Sequence, residues 1–128
     1  MKILGIGIDI IQNIRIRKLI KDKDFINRTF GKEEIRLSQK LSNKSNFFSK
    51  RFAAKEAFAK SLGTGFRNNL NLKDIEILND KMGKPFYIKS KKIDKIINKI
   101  FKTKQYDLFL SISDEKDYSI AFTIIQNR

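Results

Sequence analysis

The sequence predicts one α+β domain over residues 1–128, a largely antiparallel sheet with a long central helix packed on it. Three observations point there. Apolar residues alternate near both ends of the chain, from Lys2 to Ile10 and from Leu108 to Ile125, as strands require. Between those ends they recur at spacings of three and four, as helices require. No repeat, low-complexity tract or linker divides the chain, and 128 residues suit one core better than two.

Lys2 to Ile10 reads as a strand, with Ile6, Ile8 and Ile10 on one face and Gly5, Gly7 and Asp9 on the other. Glycine inside a strand marks the close approach of a ligand or of another backbone. Asp9, at the strand's end, reads either as the N-cap of the next helix or as a metal ligand, and the two roles are compatible. Asn13 to Ile26 begins as a helix. Arg15, Lys18 and Asp22, with Arg17 and Lys21 beside them, give it a largely basic side that could dock an acidic helix. Gly31 opens a second helix to about Leu41, with Glu34 three residues on as in a capping box. Ser42 to Asn46 is a polar link.

Arg51 to Gly65, RFAAKEAFAKSLGTG, is a helix running into a glycine loop. Phe48, Phe52, Ala59 and Leu62 make an apolar stripe. A second face carries Ala53, Glu56, Ala57 and Lys60, where small alanines let something approach the backbone beside a carboxylate and an ammonium. A Glu–Lys pair at this spacing is also ordinary decoration of exposed helices. Gly63 ends the helix, and Gly63-Thr64-Gly65 offers N–H groups and a hydroxyl suited to an anionic oxygen.

Phe66 to Leu72 is a loop, Lys73 to Leu78 a strand, Asn79 to Pro85 a turn, and Phe86 to Ile88 a short returning strand. Ile93, Ile96, Ile97, Ile100 and Phe101 define an amphipathic helix. Leu108 to Ser113 and Tyr118 to Ile125 form an antiparallel hairpin about Asp114 to Asp117.

Lysine and arginine number 28 against 14 acids, a net charge of +14. So basic a field predicts an acidic partner: nucleic acid, anionic lipid, a polyphosphate cofactor or an acidic protein. Aromatic residues at apolar-periodic positions give no stacking platform, which argues against a nucleic-acid module. With no cysteine and no histidine, disulfides, thiol catalysis and metal ligation by either residue are excluded. A metal must be held by oxygen, as magnesium, manganese or calcium are. A general base must be a carboxylate, lysine, tyrosine or water. No apolar run is long enough to span a bilayer, and Asp9 interrupts the first one, so a cytoplasmic chain without a signal peptide is expected.

Three segments resemble one family. GIGIDIIQNIRI at residues 5–16, RFAAKEAFAKSLGTG at 51–65 and DIEILNDKMGKPF at 74–86 are similar to the signatures of small 4'-phosphopantetheinyl transferases of the holo-[acyl-carrier-protein] synthase group. The resemblance runs from Met1 to about Ile125. It implies that family's fold. It also implies transfer of 4'-phosphopantetheine from coenzyme A to a serine of apo-acyl carrier protein, in support of fatty acid biosynthesis. Adenosine 3',5'-bisphosphate is the by-product. Magnesium is implied as cofactor, and a homotrimer with sites between subunits as the assembly. Neither nucleic acid nor membrane is implied as a partner.

By the same resemblance, Asp9 and Glu56 are the magnesium ligands, and Glu56 and Lys60 the catalytic pair, with Lys60 meeting a coenzyme A phosphate. Arg51 contacts the nucleotide or its phosphates, and Gly63, Thr64 and Gly65 lie against the cofactor. Arg15, Arg17, Lys18 and Lys21 dock the acidic carrier protein, although only Arg15 falls within a signature. The serine proton goes to Glu56 or to a magnesium-held water. The glycine face of the first strand and the Phe109/Ser111/Ser113 face are candidate subunit contacts. There are two departures. Asp114 follows Ser111-Ile112-Ser113 where relatives often carry histidine, and an aspartate near the 3'-phosphate would repel it. Gly31 stands where relatives often place threonine, at an expected cost of about 0.3 kcal/mol.

Overall fold

The computed structural model describes residues 1–128. Strand β1 (Lys2–Gln12) leads into four helices, α1 (Asn13–Leu19), α2 (Lys23–Thr29), α3 (Lys32–Ser38) and the long α4 (Lys44–Ser61). A 3-10 turn (Leu72–Asp74) precedes β2 (Ile77–Asn79) and β3 (Pro85–Tyr87). Helix α5 (Lys91–Phe101) and the hairpin of β4 (Tyr106–Asp114) and β5 (Tyr118–Asn127) complete the chain. The antiparallel sheet has the order β1-β5-β4, and β2 with β3 forms a separate two-stranded sheet.

Helix α4, roughly 27 Å long, lies across the three-stranded sheet. The two meet through small residues. Gly5 and Gly7 of β1 and Ser119, Ala121 and Thr123 of β5 face inward, in register as Gly7↔Thr123 and Asp9↔Ala121. A Cβ on Gly7 would stand 1.9 Å from the Ala57 carbonyl oxygen, and one on Gly5 would stand 1.8 Å from that of Ser61. The glycines therefore admit another backbone, that of α4. The helix is buried on nearly every side, including Arg51, Lys55 and Ser61. Its apolar stripe is only part of its contact surface. Tyr87 of β3 is buried behind it. The Tyr87 hydroxyl donates to the Ala54 carbonyl at 2.7 Å and pairs with the Thr123 hydroxyl at 2.6 Å, which ties the small sheet to the large one through α4.

The large apolar residues of β1 and β5 face the other way. Ile6, Ile8 and Ile10, with Phe109, Ile120 and Phe122, lie 37–59% exposed on the outer side of the sheet. Of the two faces expected to meet other subunits, the Phe109 face is open. The glycine face is closed by α4, and the isoleucine face of the same strand is the open one.

Three boundaries differ most from expectation, besides α3 ending at Ser38 rather than near Leu41 and β1 running on to Gln12. The helix from Asn13 to Ile26 is two helices, because Asp22 accepts the Asp24 backbone N–H at 2.9 Å and starts α2 afresh. Helix α4 begins inside the polar link, where the Asn43 side chain caps it by accepting from the Asn46 N–H at 3.2 Å. Lys73 to Leu78 is only half a strand, since Asp74 accepts from the Asn71 N–H at 2.8 Å and closes a 3-10 turn first. At Gly31 the Glu34 carboxylate accepts the backbone N–H at 2.9 Å. A Cβ there would stand 2.1 Å from the Glu76 carboxylate, so the missing methyl makes room for that acid over the start of α3. Glycine at this position is thus more than a weak cap.

Gly7→Val is expected to destabilise the fold by about 3 kcal/mol, the upper end of overpacking costs. A fall in the urea midpoint with an unchanged slope would verify this.

Candidate functional site

Asp9 follows the two glycines on the inward row of β1, ahead of the buried Ile11. Because the strand touches α4 backbone to backbone, the Asp9 side chain emerges beside the helix face that carries Glu56 and Lys60. The Lys60 ammonium stands 3.1 Å from Asp9 Oδ1. Asp9 is mostly covered, and Lys60 is more than half exposed. Asp9 is not a helix cap: α1 starts after Gln12, and its N-cap makes no side-chain bond. Glu56 is half-buried. Burial first, and the Asp9 carboxylate second, hold its carboxyl above the ordinary range, while Lys60 and Arg15 pull it back. Two neighbouring carboxylates, Asp9 disfavouring the ionisation of Glu56, with one exposed ammonium beside them, fit a hard cation. No third acid or other such ligand joins them. The pair suits an ion that takes one or two carboxylates and completes its shell with water and phosphate, as magnesium does.

Glu56 also lines a cavity of about 630 Å³ with Arg15, Phe25, Arg28, Phe52 and Leu72. Of the basic residues on the first helix, the structure brings Arg15 alone to this cavity. Arg17 lines two other hollows, near Asp117 and near Asp114. Lys18 lies in the last turn of α1 and Lys21 in the turn beyond it, both exposed. Arg28 of α2 and Lys73, which sequence reasoning missed, complete the basic rim. The break between α1 and α2 is what turns Arg28 toward Arg15, and a continuous helix gave no sign of it.

Gly63 and Gly65 both take positive φ, +78° and +67°, directly after α4. Between them Thr64 holds a hydroxyl that is buried and has no hydrogen-bond partner. Arg51 is placed differently from a free phosphate ligand. It is buried, its Nε donates to the Ile77 carbonyl at 3.2 Å and its Nη2 to Asn79 Oδ1 at 2.7 Å, and it stacks on Phe47. Desolvation lowers its pKa to about 10, with Glu34 opposing. Asp114 accepts from the Asn46 side chain at 2.6 Å, which links the last hairpin to the start of α4. Asn13, also missed, is buried at the start of α1 and donates to the Glu115 and Lys116 carbonyls at 2.9 and 3.0 Å, fixing the hairpin turn.

This arrangement has counterparts. A profile described as the 4'-phosphopantetheinyl transferase superfamily matches residues 5–122. The chain belongs to that superfamily. It is similar to the holo-[acyl-carrier-protein] synthase of Pelagibacter ubique, 58% identical over 128 residues and covering the whole of both chains. A crystal structure of the synthase from Neisseria meningitidis superposes with a TM-score of 0.88 at 35% identity, covering 98% of this chain and 99% of that one. The synthase from Bacillus anthracis, solved in complex with CoA (3',5'-ADP), superposes with a TM-score of 0.82 at 34% identity and full coverage of both chains. The family's fold is thus the α+β fold seen here, with the sheet covered by α4.

With a chelator present, Glu56→Gln is expected to stabilise the protein at neutral pH. The folded pKa of Glu56 is raised, so the folded state binds that proton more tightly. Wild-type stability then falls as pH rises from the ordinary carboxylate range through the raised value. The advantage of the variant disappears below that range. Urea unfolding of both proteins from about pH 4 to about pH 8 checks it.

Proposed function

We propose that the chain is an enzyme that moves 4'-phosphopantetheine from coenzyme A to a serine hydroxyl of apo-acyl carrier protein, in support of fatty acid biosynthesis in the cytoplasm. The observation that carries the assignment of residues is the meeting of Asp9, Glu56 and Lys60 at one point of the fold. The serine oxygen forms a bond to the phosphorus that bears the pantetheine. The bond from that phosphorus to the oxygen bridging the diphosphate breaks, and adenosine 3',5'-bisphosphate leaves with the electron pair. Catalysis of this kind is mainly positioning and charge neutralisation.

Asp9 and Glu56 would hold a magnesium ion, which when bound neutralises diphosphate charge. Lys60, exposed and flexible, swings from Asp9 to a phosphate oxygen, as a mobile point charge can. The serine proton passes to Glu56 or to a water beside it. The Gly63-Thr64-Gly65 loop lies one turn beyond Lys60 and offers its N–H groups and the unpartnered Thr64 hydroxyl to the cofactor. Lys50 lines a small hollow near Gly83 and serves the nucleotide end from there, with the buried Arg51 guanidinium, held by Ile77 and Asn79, forming its wall. Arg15 and Arg28 receive acids of the carrier protein at the cavity mouth, and Arg17, Lys18 and Lys21 steer its approach.

The outer face of the sheet supports a homotrimer. An open row of isoleucine and phenylalanine is the mark of an interface rather than of a free surface. No helix is long and apolar enough to cross a membrane.

Asp9→Asn and Glu56→Gln should each lower transfer about a hundredfold or more, measured as the mass gain of apo-carrier protein. Both should also abolish the rise in melting temperature that magnesium with coenzyme A gives the wild type. Full activity in either variant refutes the ligand assignment. For the assembly, Ile8→Glu with Phe122→Glu should convert the trimer to monomer in light scattering. A wild type that is already monomeric refutes the trimer.

A further inference from the structure

Lys55 and Glu34 take no part in the reaction as described, yet neither has any exposed surface. The Lys55 ammonium is fully used. It donates to Glu34 Oε1 at 2.7 Å, to the Leu72 carbonyl at 3.1 Å and to the Ile75 carbonyl. Glu34 in turn accepts the backbone N–H groups of Gly31 at 2.9 Å and Ile77 at 3.1 Å. One ion pair thus grips the chain at residues 72, 75 and 77. That stretch contains only a single 3-10 turn before β2. It also walls the cavity: Leu70, Asn71, Leu72 and Lys73 line the same space as Glu56, which is the residue after Lys55 on α4. Leu72 does both, held by Lys55 through its carbonyl and lining the cavity.

We propose that Lys55 is a positioning residue for the carrier protein. By holding the carbonyls of Leu72 and Ile75, it fixes the wall against which the serine-bearing segment is seated in front of Glu56. This rests on the transfer reaction proposed above. Without the ammonium, two buried carbonyls and a buried carboxylate lack a donor, and the segment moves outward to find water.

The test compares Lys55→Met with Lys55→Met/Glu34→Gln. The double variant removes the stranded charge and regains stability, while the carbonyls still lack their donor. Assayed well below their melting temperatures, both variants should show a KM for apo-carrier protein raised about tenfold, with the KM for coenzyme A within about twofold of wild type. A smaller folded fraction alone would lower kcat and leave both KM values in place. Folded variants with a wild-type KM for carrier protein overturn the proposal. If the wild type transfers no phosphopantetheine, the reaction assignment fails instead. Hydrogen exchange at residues 70–75 then decides the wall: protection lost in both variants upholds its clamp, and protection kept overturns it.

Discussion

The contact on which everything else depends is between two backbones. Gly5 and Gly7 let β1 lie directly on α4, with no side chain between strand and helix. This close approach sets how far Asp9 stands from Glu56 and Lys60. It also empties the inner face of bulk, so that Ser119, Ala121 and Thr123 continue the thin layer across β5. The hydrophobic mass that strands normally turn inward is displaced outward, to Ile6, Ile8, Ile10 and Phe122. The meeting of Asp9 with Glu56 and Lys60 and the apolar outer surface therefore share one cause.

Much of this was legible in the residues. The alternation of β1 and of the last hairpin named the strands, and the glycine row announced a close neighbour. Alternation divides a strand into two faces without saying which one is covered. Composition would have favoured the isoleucines as the covered face, yet the helix demands the glycines. The breaks at Ile20–Asp22 and at Leu72–Asp74 escaped detection because each rests on one aspartate accepting a backbone N–H two or three residues away. Periodicity is blind to such local bonds. Of the site, Asp9, Glu56 and Lys60 could be read from the signatures. Arg28 could not, since its place depends on the turn before α2. The burial of Arg51 was equally hidden, because its partners Ile77 and Asn79 lie 26 and 28 residues away.

Charge is arranged in two layers. The excess of lysine and arginine is mostly at the surface, where each is worth little singly and the sum shapes the field. Beneath it lies a closed set of buried ions, Glu34, Arg51 and Lys55. Desolvation depresses both cations, and the same carboxylate opposes that in each case. Such a set is costly to break at one member, typically about 3–5 kcal/mol, even when replacing all of it would be nearly neutral. Its value here is geometric: one carboxylate ties the start of α3, the middle of α4 and the entry to β2.

The side-chain parity of β1 carries a consequence of its own. Odd positions 5, 7 and 9 serve the helix and the acid; even positions 6, 8 and 10 serve the outside. Inserting or deleting a single amino acid in this strand would exchange the two sets, driving isoleucine against Ala57 and stranding the carboxylate among hydrocarbons. Between Gly5 and Ile10, past the register shift at Ile3/Gly5, this edge strand therefore accepts substitution within one parity class far more readily than a change of length.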